Sequence, residues 1–143
     1  MDWTIRDARS EDAADVARLL GQLGYPTTGD AVEARLDRLA VVGDRVLVSD
    51  VDGRAVGLGH LQVSPAIERD RPAAKIGALV VDEAHRGHGI GRGLVRALED
   101  EARLRGCGLL YLTTAERRDD AHAFYERLGL EQTGRRYGRM LSE

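Results

Sequence analysis

The 143-residue chain has one cysteine, Cys107. A single thiol excludes an intrachain disulfide and a cysteine-built zinc site, and it suits a reducing cytoplasm. Lysine is nearly absent. Lys75 is the only one, so arginine carries almost all of the positive charge. Neither sign of charge dominates, because 21 basic residues face 24 acidic ones for a net charge of -3. That balance argues against a general nucleic-acid or membrane-surface binder. Aromatic residues make up only 4% of the chain. No apolar run approaches the roughly 18–20 residues of a membrane span. The opening "MDWTIRDARSEDAADVARLL" is charged too early and too often for a secretory leader, so a cytoplasmic protein is expected. No repeat or low-complexity linker interrupts the chain. What is present suffices for a core, since 43% of residues are hydrophobic. The length is that of one ordinary domain, taken as residues 1–143.

The periodicities alternate between strand and helix. Trp3–Arg9 alternates weakly and predicts a first strand. A helix follows, with Ser10 as its cap, Ala14, Val16, Ala17, Leu19 and Leu20 on its buried face, and an end near Gly21. Residues 21–30 carry loop chemistry, and Ala31–Leu39 predicts a second helix. Arg45–Val63 reads as two strands around Asp52-Gly53, a hairpin signal. Ala74–Asp82 is a strongly apolar strand. Ile90–Arg105 is a long helix whose stripe is Ile90, Leu94, Val95, Leu98 and Ala102, stopped by Gly106. Gly108–Thr114 predicts a buried strand, Asp119–Gly129 a short helix, and Leu130–Leu141 a closing strand or hairpin. Hairpins first and crossovers later argue for an α/β chain with a mixed sheet and about four helices packed on it.

Four glycines, at 87, 89, 91 and 93, open the long helix. A helix start offers unpaired N–H groups and about half a positive charge, so it attracts anions. Gly87, Gly89 and Gly91 carry no Cβ atoms to hold a ligand away, and Arg86, Arg92 and Arg96 add formal charge. Together these suit a pyrophosphate. Two other glycine motifs fail. The Walker pattern needs Gly-Lys-Ser/Thr, and no lysine lies here. The dinucleotide fingerprint meets Arg92 or Leu94 where its last glycine should stand. His85 and His88 flank Arg86 without a third ligand in reach, so no metal site is expected.

"Arg86-Gly-His-Gly89-Ile-Gly91" resembles the Arg/Gln-x-x-Gly-x-Gly/Ala signature of the GNAT family of N-acetyltransferases. "ALVVDEAH" before it is similar to the family's fourth strand, and "AHAFYERLGL" (121–130) to its second conserved segment. The resemblance covers nearly the whole chain. It implies a mostly antiparallel sheet splayed between the fourth and fifth strands, acetyl-CoA as cosubstrate, and a primary amine as acceptor. It implies that the backbone of Gly87, His88, Gly89, Ile90, Gly91 and Arg92 holds the CoA pyrophosphate. Pantetheine would lie along Leu79, Val80 and Val81, opposite Leu112–Thr114, with Phe124 and Tyr125 at its reactive end. The family often pairs as homodimers through C-terminal strands, which makes a second copy an expected partner.

Acetyl transfer needs a neutral amine, a stabilised oxyanion, alignment of the reactants and a proton for the departing thiolate. By the resemblance, the Val81 N–H supports the oxyanion and Tyr125 protonates the thiolate. A phenol suits that task. Many relatives carry a glutamate on the fourth strand as base, but here Lys75, Gly77 and Ala78 occupy those positions. His60, Glu68, Asp70 and bulk water are the remaining candidates. "RDDAHAFYERLG" (118–129) is further similar to aminoalkylphosphonate and aminoglycoside-type acetyltransferases, which implies a phosphate- or acid-binding role for Arg118 and an orienting role for His122. A small-molecule acceptor leads. A peptide acceptor and a non-catalytic CoA-binding module stay open.

Overall fold

The computed structural model describes residues 2–113 and 119–141. Its sheet contains β1 (Thr4–Asp7), β2 (Arg45–Val51), β3 (Arg54–Ser64), β4 (Ala73–Val81) and β5 (Leu109–Leu112), in that spatial order. The first four are antiparallel neighbours. β5 runs parallel to β4 after a helical crossover. The β2–β3 hairpin turns where Asp52-Gly53 predicts. Both residues have positive φ, 51° and 85°, as the two-residue turn that matches strand twist demands. Asp50 also accepts the Gly53 N–H at 2.7 Å.

Two irregularities re-aim the sheet. The β2–β3 register shifts between Ser49 and Asp50. The β3–β4 register shifts at His60/Leu61: His60 faces Ala78 while Leu61 faces Ile76. Gly77 is therefore the extra residue of a bulge in β4, the kind of feature that bends a strand and redirects a side chain.

Four α-helices are present among the described residues: α1 (Ala13–Leu23), α2 (Gly29–Val41), α3 (Ile90–Leu104) and α4 (Asp119–Arg127). Ala13, Val16 and Leu19 of α1 and Val32 of α2 pack with Val48, Leu58 and Val80 on one face of the sheet. Leu94 and Leu98 of α3 cover Gly57 and Gly59 on the other. All five stripe residues of α3 are buried, as the spacing predicts.

The first two helix boundaries differ from expectation. A 3-10 turn, Ser10–Asp12, precedes α1, and the side chain that caps the entry is Asp12, which accepts the Arg9 N–H at 2.8 Å. α1 runs through Gly21 to end at Gly24, where φ is 104°. Only a residue in the left-handed region can make that exit, and Gly21 is a tolerated interior glycine. α2 begins two residues earlier than expected because Thr28 caps it, accepting the Ala31 N–H at 3.2 Å.

The chain divides into two compact units, residues up to Tyr111 and residues from Leu112 onward. The second contains α4, which ends at Gly129 with φ 85°. Residues 130–141 form no strand, so the expected closing hairpin is absent there. That segment is mostly exposed and supplies no strand partner of its own.

Candidate functional site

The glycine-rich loop is held at both ends. After β4 a 3-10 turn, Glu83–His85, leads to Gly87 and Gly89 with φ of 84° and 80°. The left-handed Gly89 is the N-cap of α3, and no side chain among the described residues caps it. The N–H groups of Ile90, Gly91 and Arg92 stay open, as at any helix start, and no acidic residue sits in that turn. Space around Gly87 and Gly89 is open on the Cβ side. Arg86, Arg92 and Arg96 are exposed, and none enters an ion pair among the described residues. The arrangement is an electropositive cradle of backbone donors. Its shape is kept by Trp3, whose indole N–H donates to the His88 carbonyl at 3.1 Å.

Near its end, β4 turns one side of its backbone away from β3. The Asp82 N–H donates to the Val56 carbonyl of β3 at 2.8 Å. Successive N–H groups of a strand point to opposite sides. The N–H groups of Val81 and Leu79 therefore point away from β3. The Val81 carbonyl, on the same side, accepts the Arg86 Nε–H at 3.2 Å. Val80 has its side chain in the core. Core packing through Val80 and backbone display through Leu79 and Val81 are compatible.

Asp82 is a structural node that sequence reading missed. It is buried, and it accepts from Gln22 Nε2 at 2.8 Å and Arg18 Nη1 at 2.9 Å, with His85 Nδ1 at 2.7 Å. Gln22 also accepts the Glu83 N–H at 3.1 Å. The Gln22 hydrogen bond foremost, with those of His85 and Arg18 and the charge of Arg18, holds the Asp82 carboxyl below its ordinary range despite burial. The end of β4 is thus bolted to α1 just before the glycine loop. His85 is committed to this node, and no cluster of three metal-ligating side chains forms among the described residues.

His60 has a partner. Its Nε2 lies 2.9 Å from Asp44 Oδ2, and both side chains are largely buried. It lines a cavity of about 280 Å³ with Val16, Leu20, Val32, Leu36 and Ala78, to which α2 contributes Arg35 and Arg38. Glu68 and Asp70 lie in the β3–β4 loop, at the end of β4 remote from Val81. Nine strand residues put roughly 25 Å between those ends. The geometry therefore separates both acids from the loop and keeps His60 nearer, since its cross-strand neighbour Ala78 is three residues from Val81. Cys107, half-buried, sits in the turn after α3, with its N–H on the Ala102 carbonyl.

In the second unit, Phe124 and Tyr125 of α4 meet edge to face, with ring centroids 5.6 Å apart. The Tyr125 carbonyl accepts the N–H groups of Leu128 and Leu130, each at 3.1 Å, which closes the helix. His122, one turn earlier, is half-buried like Tyr125. Thr114 and Arg118 lie outside the described residues.

The sequence pattern of the Acetyltransferase (GNAT) family matches residues 14–130. A glucosamine 6-phosphate N-acetyltransferase of Trypanosoma brucei brucei is 31% identical over 134 residues, covering 90% of this chain and 89% of that one. An aminoalkylphosphonate N-acetyltransferase of Salmonella typhimurium is 36% identical over 148 aligned positions, covering 96% and 90%. The crystal structure of a Trypanosoma brucei acetyltransferase superposes with a TM-score of 0.85 at 29% identity, covering 98% of this chain and all of that one. The loop, the strand order and these likenesses agree: the chain belongs to the GNAT family of acetyltransferases, enzymes whose cosubstrate is acetyl-CoA.

Proposed function

We propose that this enzyme transfers the acetyl group of acetyl-CoA to the primary amine of a small molecule that also bears an anionic group. The observation that carries the first half is the open start of α3 behind Gly87 and Gly89, with Arg86 and Arg92 beside it. In this reading the CoA diphosphate accepts from the N–H groups of residues 87–92. Pantetheine pairs with the backbone of Leu79 and Val81 on the side away from β3, and the Val81 N–H supports the developing oxyanion. Tyr125 gives its phenolic proton to the departing thiolate, and Phe124, Thr114 and Arg118 border the cofactor. The whole chain acts as one cytoplasmic domain.

The anionic acceptor rests on two supports. Glucosamine 6-phosphate and aminoalkylphosphonates, named for two relatives, each combine an amine with a phosphorus oxyanion. On α2, Arg35 and Arg38 stand one turn apart at the cavity, both exposed and neither in an ion pair among the described residues. Arginine forks match such anions.

The test is thiol release from acetyl-CoA with glucosamine 6-phosphate, 2-aminoethylphosphonate, an aminoglycoside, a polyamine and free amino acids. The expected outcome is turnover with a phosphorylated or phosphonylated amine. Turnover confined to polyamines, or acetyl-CoA binding without release for any amine, overturns the reading.

A further inference from the structure

We infer that Asp44 and His60 form the base of this reaction: the acceptor amine enters the cavity between α2 and the sheet and passes its proton, through bridging water, to Nδ1 of His60. The inference rests on the acetyltransfer reading above and adds to it the atom that takes the proton.

Four observations converge. First, Asp44 Oδ2 lies 2.9 Å from Nε2. A carboxylate only accepts, so Nε2 carries the hydrogen and neutral His60 keeps its lone pair on Nδ1. Second, Nδ1 has no hydrogen-bond partner among the described residues. Third, Nδ1 looks onto the bulge in β4. A Cβ built on Gly77 would lie 2.8 Å from it, and Gly77 itself is exposed. Any side chain at 77 would cover the basic nitrogen, and glycine leaves it open. Fourth, His60 and its cross-strand neighbour Ala78 both line the cavity whose opposite wall carries Arg35 and Arg38. An anion held by those arginines leaves the amine of the same molecule facing the histidine.

The spacing calls for a relay. Ala78 and Val81 are three residues apart, roughly 10 Å along the strand. An amine poised at a carbonyl whose oxygen meets the Val81 N–H is beyond direct reach of Nδ1, so the proton travels along bridging water. The ammonium loses one proton by that route and His60 becomes imidazolium. The nitrogen lone pair then forms the C–N bond, and the C–S bond breaks with its electron pair on sulfur. The second proton shed by nitrogen balances the one gained by sulfur, and His60 returns its proton to solvent. Asp44 acts through His60, holding its tautomer and orientation, and is a positioning residue. The charged groups around the ring are Asp44 from the α2–β2 turn, Arg35 and Arg38 from α2, and Lys75 of β4, which the register with Gln62 puts on the same face; α1 contributes only Val16 and Leu20.

The wild-type enzyme gives the first test. Nitrogen-15 NMR of the histidine rings should show His60 hydrogenated at Nε2, with Nδ1 shifting when 2-aminoethylphosphonate or glucosamine 6-phosphate is added to the CoA complex. An Nδ1-hydrogenated tautomer, or a ring indifferent to both amines, overturns the inference. Kinetics gives the second. His60→Gln should lower kcat about 10²-fold at neutral pH, leave acetyl-CoA affinity unchanged, and abolish the fall in rate on acidification. Asp44→Asn should lower kcat less and move that fall, and Asp44→Glu should recover part of the loss. An unchanged kcat and pH profile in His60→Gln sinks the dyad while leaving acetyltransfer standing. Absence of acetyl-CoA binding in the wild type sinks the acetyltransfer reading itself.

Discussion

Gly93, the fourth glycine of the run, serves packing. A Cβ there would lie 2.5 Å from Cη2 of Trp3, the same indole that donates to the His88 carbonyl. Gly93→Ala should therefore destabilise the protein by about 1–3 kcal/mol, the usual cost of overpacking, read from urea denaturation. An unchanged midpoint would mean that α3 and β1 have slack. Gly87 and Gly89 differ in kind, because their positive φ and open surroundings leave them available to a ligand. At Tyr125, removal of the hydroxyl in Tyr125→Phe should lower kcat about 10²-fold with little change in acetyl-CoA affinity. Equal loss of both would assign the residue to binding rather than proton transfer.

At the scale of elements, the joint between β4 and α3 depends on α1. Arg18 and Gln22 reach across to Asp82, and His85 closes the node from the loop side. Arg18 is partly solvated, so its charge contributes modestly. Asp82→Ala should cost about 1–3 kcal/mol, since part-buried donors lose their buried acceptor. It should also weaken acetyl-CoA binding several-fold, because the loop start loosens. Calorimetry, with amide exchange across residues 83–92, distinguishes the two effects. Lost stability with unaltered affinity and exchange would show that the loop holds itself. The bulge at Gly77 is a second element-scale device, since it lays the His60 ring over a strand position without a side chain.

For the whole molecule, acid sensitivity follows from paired carboxylates. The bidentate Arg6 fork, at 2.8 Å on each oxygen, foremost holds Asp12 below its ordinary range. Hydrogen bonds from Gln22 and Arg105 foremost do the same for Asp82 and Glu101. A carboxyl whose native pKa is depressed favours the folded state above its unfolded value, near 4, and that contribution disappears as pH falls through the native value. The urea midpoint should therefore be nearly flat from about pH 7 to 5 and decline below about pH 4. Asp12→Asn should be less stable than wild type at neutral pH by about 2–4 kcal/mol, because Arg6 loses a buried partner. That gap should close as acid protonates Asp12 in the wild type. A constant gap down to pH 2 would show that Asp12 acts by shape alone.

Much of the fold was legible because its signals are local. The Asp52-Gly53 turn, the apolar stripe of α3, its Gly106 stop and the glycine cradle each lie within one stretch of chain, where φ preference and helical period act directly. The resemblance added the acetyl-CoA cosubstrate. Sequence reading missed whatever depended on residues far apart: Trp3 on His88, Arg18 on Asp82, and Asp44 on His60 are separated by 85, 64 and 16 positions. A lone histidine reads as a packed ring until folding brings a carboxylate to one nitrogen and an exposed glycine to the other. The residue types set which chemistry is available, whereas orientation, burial and partner choice arise only when the sheet and helices close around them.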